Sequence, residues 1–201
     1  MPRRKTYGYL LLVFLVISGL AGTPTSNLLS KKERKYAAEL LKNSKSDLLE
    51  SIKESEENNT KFNDISRIQS HEYQVYHLVS SESQLWNLLE ESLRNSGTPE
   101  KKSFLTFSDN EIVNGFSKSE FELKFSDFFS LLDNQYQSIN EAIYDFKKIR
   151  TAHIKYIKST SEDLRDHFVQ LPIGLVDCYQ LSLLIAAHSN FHNSKAGSLK
   201  D

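Results

Sequence analysis

Apolar residues recur at helical spacing in four long stretches of this chain. Polar residues, chiefly lysine, glutamate and serine, occupy the remaining positions. Two of the stretches begin at a capping-box pair, Ser30 with Glu33 and Ser138 with Glu141. The pattern predicts long helices over residues 30–54, 70–94, 138–159 and 174–195. Four such helices with connections of unequal length are typical of a four-helix bundle, so the predicted fold class is all-α.

The connections between these helices are less regular. Residues 55–69 are rich in serine, asparagine and aspartate, and we expect them to form a loop. A capping pair predicts a short helix over about 109–117, and Thr160 with Asp163 indicates a brief new helix start. The aromatic-rich stretch 121–132 fits either a partly helical segment or a loop that covers the core.

The N-terminus has the order of a secretory signal segment. Basic residues 3–5 precede an apolar run over 10–20, and small residues follow. The run is shorter than the roughly 18 apolar residues of a transmembrane helix. The sequence therefore predicts a signal peptide over 1–23 and one helical domain over 24–201, exported to the periplasm or secreted. The alternative is that the uncleaved segment anchors the protein in a membrane.

Composition favours a helical protein and excludes several classes of function. The chain has 201 residues with only 7 Gly and 4 Pro, and its 25 Lys+Arg balance 26 Asp+Glu. It therefore lacks the basic excess of a nucleic-acid-binding protein. It also lacks a Gly-rich phosphate loop, a Ser-His-Asp motif and a CxxC pair. The one cysteine, Cys178, excludes an intramolecular disulfide and is predicted to be a small buried hydrophobe.

The candidate chemistry lies near the end of the chain, where His188 and His192 are four residues apart. On a helix this spacing places both imidazoles on one face, which is half of a site for a divalent metal ion. The alternative is a pair of surface histidines favoured by the helix dipole. In a bundle, His77 on the second helix can face this pair. Three imidazoles and one open position are the arrangement of a catalytic metal site.

Other polar residues have structural interpretations. Tyr73 shares a helix face with the histidine of the second helix, and either lines the open coordination position or packs as an aromatic. His153 and His167 are predicted to be structural. Glu72 and Glu82 are predicted to lie on solvated faces. None of these carboxylates is placed as a general base.

Several motifs occur in an order that resembles a known family. Segment 33–41 lies on the first helix, and His77 on the second precedes Ser-Glu-Ser-Gln-Leu-Trp at 81–86. Ala-His-Ile-Lys-Tyr at 152–156 and Asp-Leu-Arg-Asp-His-Phe at 163–168 follow, and a His-x-x-x-His pair closes the series. This order resembles the DinB-like superfamily of bacterial four-helix-bundle metalloproteins, in particular its exported members, over nearly the whole mature chain.

The resemblance implies a divalent metal ion, nickel or zinc, held by His77, His188 and His192. It also implies a homodimer that acts on a small molecule. The missing basic excess and the exported address argue against a nucleic-acid partner. The functional hypothesis is a metal-dependent hydrolase or a thiol-dependent transferase, in which the metal lowers the pKa of a thiol.

Two departures from the family pattern keep other functions open. Phe191 stands where the family often has arginine, and Gln69-Ser70 replaces a Trp-Ser pair. The alternatives are a non-catalytic metal- or ligand-binding bundle and a structural relic that no longer binds metal.

Overall fold

The computed structural model describes residues 28–57, 71–116, 120–130 and 136–198, and most of these residues are helical, as the all-α prediction requires. The elements in chain order are α1 (Lys31–Glu57), α2 (His71–Leu93), a 3-10 helix (Pro99–Phe104), α3 (Asp109–Asn114), α4 (Glu120–Ser130), α5 (Ile139–Ser159), β1 (Phe168–Leu171), β2 (Gly174–Asp177) and α6 (Cys178–Ser198). The four long helices α1, α2, α5 and α6 correspond to the four predicted stretches.

Some predictions concern segments outside the described residues. The signal peptide over 1–23 is one of them, and the departure at Gln69-Ser70 is another. The predicted loop over 55–69 is described only at its start, where α1 continues to Glu57. Among the described residues, no helix combines the length and apolar character required to cross a membrane.

Side-chain caps determine where three of the helices begin. The Glu33 backbone N–H donates to Ser30 Oγ (3.2 Å), and the Ser30 N–H donates to Glu33 Oε2 (2.7 Å). Ser108 and Glu111 form the same reciprocal box at the start of α3, and Ser138 caps α5. The helix starts predicted from these pairs are therefore confirmed.

The last helix begins four residues later than predicted, because Gly174–Asp177 forms a strand. This strand, β2, pairs antiparallel with β1. Gly174 has a φ of 131°, which L residues rarely adopt, and it turns the chain between the strands. Asp177 then caps α6, since its Oδ1 accepts from the Gln180 N–H (2.7 Å) and Gln180 Oε1 accepts from the Asp177 N–H (3.3 Å). The sequence contains this capping box, but the apolar run around it obscures the signal.

The brief helix predicted to start at Thr160 is also wrong. Thr160 instead ends α5, with its N–H donating to the Tyr156 carbonyl (2.7 Å). The Asp163 carboxylate accepts from the Arg165 N–H (3.2 Å), which holds a turn. Residues 160–167 therefore form a non-helical connection from α5 to β1.

The long helices pack in pairs around an apolar core. α1 and α2 each contact both α5 and α6, and α3 packs on α6. Two apolar clusters result, the larger centred on α6 and the smaller between parts of α1, α2 and α5. Phe121, Phe125 and Phe129 are buried on one face of α4 in the larger cluster. The aromatic stretch, for which the sequence allows a helix or a loop, is therefore mainly a helix that covers the core.

A buried polar layer joins the four long helices, with one side chain from each: Ser44, Glu82, Arg150 and Ser189. All five guanidinium N–H groups of Arg150 have acceptors. Nε and Nη2 donate to the two Glu82 oxygens (2.8 Å each), Nη2 also to Ser189 Oγ (2.8 Å), and Nη1 to Ser44 Oγ and the Leu41 carbonyl. The predicted solvated position of Glu82 is wrong, because a buried guanidinium requires a paired carboxylate.

Candidate metal centre

Three imidazoles converge between α2 and α6, and we call His77, His188 and His192 the histidine triad. The Nε2 atom of His188 lies 3.3 Å from Nε2 of His77 and 3.1 Å from Nε2 of His192. One ring nitrogen of each residue lies within 4.8 Å of the others. The prediction that these side chains lie together is confirmed, whereas metal binding stays a prediction.

Local helical geometry explains this convergence. His188 and His192 are one turn apart on α6, so their rings lie on one face. The packing of α2 on α6 places His77 opposite that face. His188 is only 4% exposed, and the other two rings are partly exposed. The histidine triad therefore extends from the core towards the surface, which gives a ligand a route to it.

Aromatic side chains cover the inner part of the histidine triad. Phe129 of α4 stacks on His188, with ring centroids 4.9 Å apart and planes 20° apart, and meets His77 edge-on at 5.5 Å. Phe116 lies 5.0 Å from the His188 ring. These contacts exclude water from the buried side of the cluster and limit rotation of the His188 ring.

Two further aromatic residues border the more exposed side. Tyr73, one turn before His77, stacks on that ring at 6.3 Å and is itself 45% exposed. Phe191, directly before His192 in the sequence, lies 5.4 Å from the His192 ring. The edge of the site thus presents a half-exposed phenol and an apolar ring.

Burial favours the neutral form of these imidazoles, which is the form that binds a metal. It lowers the pKa of His77 to about 4. Burial also moves the pKa of His188 well below its usual value, and the charges of the nearby His192, His77 and Arg150 act in the same direction. At neutral pH, His77 and His188 are therefore unprotonated and carry no charge that would repel a cation.

Glu82 lies in the buried polar layer, where its carboxylate contacts Arg150 and His153. Burial by itself would raise its pKa, but the charge of Arg150 and the hydrogen bonds from His153 and Arg150 lower it to about 2. His153 Nδ1 lies 2.7 Å from Glu82 Oε1, and its ring stacks on Trp86 at 3.5 Å. Glu82 is therefore ionised but has no free oxygen for work as a general base, and the structural prediction for His153 is confirmed.

Charged residues at apolar positions of two helices are the sequence signal for the buried polar layer, and the search for capping pairs and apolar periodicity overlooks them. Arg150 occupies the apolar register of α5, four residues after Phe146 and seven before Ile157, and all three are buried. Glu82 interrupts the apolar stripe of α2 in the same way, between Leu78 and Leu85. A charged residue in the middle of an apolar stripe predicts a buried partner of opposite charge.

His167 lies away from the histidine triad and has a structural role, as predicted. Its Nδ1 is 2.7 Å from the Asp163 carbonyl, and its Nε2 is 3.1 Å from the Asn95 carbonyl. The ring thereby joins the entry to β1 with the end of α2. A cleft of about 400 Å³ beside it is lined by residues from the end of α2, from the connection and 3-10 helix that follow, and from β1, none of which belongs to the histidine triad.

Comparisons with protein-family models, with curated proteins and with solved structures give no match to this chain. The resemblance to the DinB-like superfamily therefore stays a prediction, and the case for a function depends on the geometry of the site.

Proposed function

We propose that this chain is a divalent-metal-binding protein in which His77, His188 and His192 hold one ion, nickel or zinc. The observation that carries the proposal is the separation of the Nε2 atoms, 3.3 Å and 3.1 Å from His188 to the other two. Metal–nitrogen distances of about 2.0–2.1 Å in tetrahedral geometry separate the ligand atoms by about 3.3 Å. Two of the three pairs of ring nitrogens thus already have nearly the spacing that a zinc ion requires, and the third pair lies within 4.8 Å.

The wider setting of the proposal is an exported DinB-like protein. In this proposal the four long helices form the four-helix bundle of a domain over 24–201, preceded by a signal peptide over 1–23 and assembled as a homodimer. The mutual packing of the long helices and the cluster of two histidines on α6 with one on α2 support the bundle and the metal site. The signal peptide rests on the N-terminal sequence pattern, and the homodimer rests on the family resemblance alone. Mass spectrometry of the exported protein tests the signal peptide, which is expected to be missing from the mature chain.

Three protein ligands leave a coordination position for water or for a substrate, so the site suits catalysis on a small molecule. When bound, the ion would acidify a water molecule or a thiol, which corresponds to a hydrolase or a thiol-dependent transferase. Phe129 and Phe116 exclude water beside His188, and Tyr73 borders the route from solvent. The proposal assigns no described residue as the acid or base of a proton transfer.

The second candidate is a metal- or ligand-binding protein without catalysis. The observation that favours it is that both oxygens of Glu82 already accept hydrogen bonds, from Arg150 and His153. Glu82 is therefore not available to move a proton for a bound substrate, and in this candidate the ion serves for binding alone. A structural relic, the third candidate, would keep the imidazoles without holding an ion.

Metal analysis of the purified protein separates the two metal-binding candidates from the relic. We expect about one zinc or nickel ion per chain, lost in His77→Ala and in His188→Ala. His167→Ala is the matched control, because it removes an imidazole that contacts Asp163 and Asn95 and not the histidine triad. Zinc at about 100 times its dissociation constant would stabilise the wild type by roughly 2.7 kcal/mol.

Two results would count against the proposal. Wild-type protein that takes up no zinc or nickel after incubation would favour the relic. Equal uptake by His77→Ala and by the wild type would place the ion elsewhere. Stoichiometric binding, followed by a screen for ester hydrolysis and thiol transfer, would then distinguish the enzyme from the binding protein.

A further inference from the structure

Ser81 of α2 is fully buried and contacts the innermost histidine of the triad. Its Oγ lies 3.3 Å from Nδ1 of His188 and 3.2 Å from the carbonyl oxygen of Leu78, one turn earlier on the same helix. Nδ1 is the ring nitrogen that faces away from the other two imidazoles, because Nε2 is the atom that approaches them. Ser81 and the proposed ion thus lie on opposite sides of the His188 ring.

The hydrogen-bonding chemistry of these three groups permits only one arrangement that satisfies both contacts. A carbonyl oxygen can only accept, so the single hydroxyl hydrogen of Ser81 has to be donated to Leu78. The oxygen of Ser81 is then an acceptor, and His188 has to donate its Nδ1–H to it. A neutral imidazole carries one hydrogen, so Nε2 of His188 is left with a free lone pair that points at His77 and His192.

We propose that Ser81 is a positioning residue that fixes His188 in the Nδ1–H tautomer and aims its Nε2 lone pair at the ion. Metal-bound histidines commonly donate their other ring N–H to such a partner, which sets the orientation and the basicity of the ring. The role in metal binding rests on the proposed function. The tautomer itself is a property of the chain without a metal.

The buried polar layer keeps this contact in register. Glu82 and Ser189 directly follow Ser81 and His188 in the sequence, and Arg150 binds both of them. The guanidinium of Arg150 therefore ties α2 to α6 one residue beyond the Ser81–His188 contact. Sliding of α2 along α6 would break either the ion pair of Arg150 with Glu82 or its hydrogen bond to Ser189, so the distance from Ser81 Oγ to the ring is held.

The first test measures the tautomer of His188 in the metal-free protein by NMR of isotope-labelled histidine. In water the neutral ring favours the Nε2–H form, and we expect the wild type to show Nδ1–H at His188. Ser81→Ala is expected to lose this preference.

Ser83→Ala is the matched control for this test. The hydroxyl of Ser83 also donates to a carbonyl of α2, that of Val79 (2.9 Å), but it lies on a different face of the helix from Ser81. The proposal is supported if His188 carries its hydrogen on Nδ1 in the wild type and in Ser83→Ala but not in Ser81→Ala. It is overturned if the wild type carries the hydrogen on Nε2, or if Ser81→Ala keeps the tautomer of the wild type.

The second test measures zinc affinity by competition with a coloured chelator, and the absorption spectrum of bound cobalt. Ser81→Ala is expected to bind zinc about 10–100-fold more weakly and to change the cobalt spectrum, while Ser83→Ala matches the wild type. Equal affinity and an equal spectrum in Ser81→Ala and the wild type would overturn the role in metal binding. Failure of the wild type to bind any zinc would overturn the proposed function instead, and the tautomer would still decide whether Ser81 orients the ring.

Discussion

Arg150 and Glu82 form a bidentate ion pair in which Nε and Nη2 each lie 2.8 Å from one carboxylate oxygen, and neither side chain is more than 3% exposed. A pair of this kind is expensive to break, because removal of one partner leaves the other charge buried without compensation. The planar guanidinium also matches the geometry of the carboxylate, which lysine could not do.

The first prediction concerns the loss of this pair. Arg150→Met is expected to lower the free energy of unfolding by about 3–5 kcal/mol, because Glu82 is then left as an unpaired buried carboxylate. Denaturation with urea provides the measurement. Lys148→Met on the exposed face of the same helix is the control and should change stability by less than about 0.5 kcal/mol. Equal stability of the two variants would contradict a stabilising role for the pair.

The second prediction concerns the dependence of stability on pH. The pKa of Glu82 in the folded protein is about 2, against a usual 4.5, so its contribution is fully present above about pH 4.5 and is lost as the pH falls towards 2. Burial also lowers the pKa of His153 in the folded protein, despite the opposing effect of Glu82. Below about pH 6.5 the unfolded chain protonates this histidine more readily than the folded protein does, so the free energy of unfolding begins to fall there. Together these shifts predict a stability that declines from neutral to acid pH.

The variant Glu82→Gln tests the first of these two contributions. Its free energy of unfolding is expected to fall less steeply than that of the wild type between about pH 4.5 and pH 2, because the titrating carboxylate is gone. Glu39→Gln, at an exposed position, should keep the wild-type slope. A slope in Glu82→Gln as steep as in the wild type would mean that other carboxylates cause the acid sensitivity.

The third prediction concerns the turn between the strands. A Cβ at Gly174 would clash with the side chain of Thr106, at a φ of 131° that side chains rarely adopt. Gly174→Ala is therefore expected to lower the melting temperature and to cost on the order of 1–3 kcal/mol. Gly97→Ala is the control, since its nearest contact would be 3.4 Å, from Cβ to Asp166. Comparable melting temperatures of the two variants would show that the turn can relax.

The fourth prediction concerns Cys178, which is fully buried at the start of α6. Burial raises the pKa of its thiol to about 12, so hardly any thiolate is present at neutral pH. A thiol reagent is therefore expected to label the native protein far more slowly than the unfolded protein. Rapid labelling under native conditions would show that the first turn of α6 opens readily.

The sequence predicted the features that depend on local spacing. Apolar periodicity and capping pairs located the long helices, and the i, i+4 spacing placed His188 and His192 on one face. His77 could be added because its helix has a single apolar face that must pack inwards. The helix positions and the pairing of His188 with His192 use residues within a turn or two of one another, whereas the place of His77 also depends on the packing of one helix on another.

The sequence did not predict features that depend on distant partners. Glu82 and Arg150 are 68 residues apart. The position of Glu82 in the apolar stripe of α2 indicates burial, but nothing near it identifies Arg150 as its partner. The strand β2 was missed for a similar reason, because its partner β1 and its contact with Thr106 determine its conformation. The apolar run that includes it suits a buried strand as well as a helix.

The contacts of Arg150 also have a consequence for the order of folding. The guanidinium binds groups that are 109, 106, 68 and 39 residues away in the chain, at Leu41, Ser44, Glu82 and Ser189. Each contact closes a long loop, and the entropy of closure has to be overcome before that contact can contribute. The complete layer therefore forms only when all four long helices are assembled, and a partly formed intermediate gains only some of its contacts. Its loss is expected to accelerate unfolding more than it slows folding, so that Arg150 sets the lifetime of the native state.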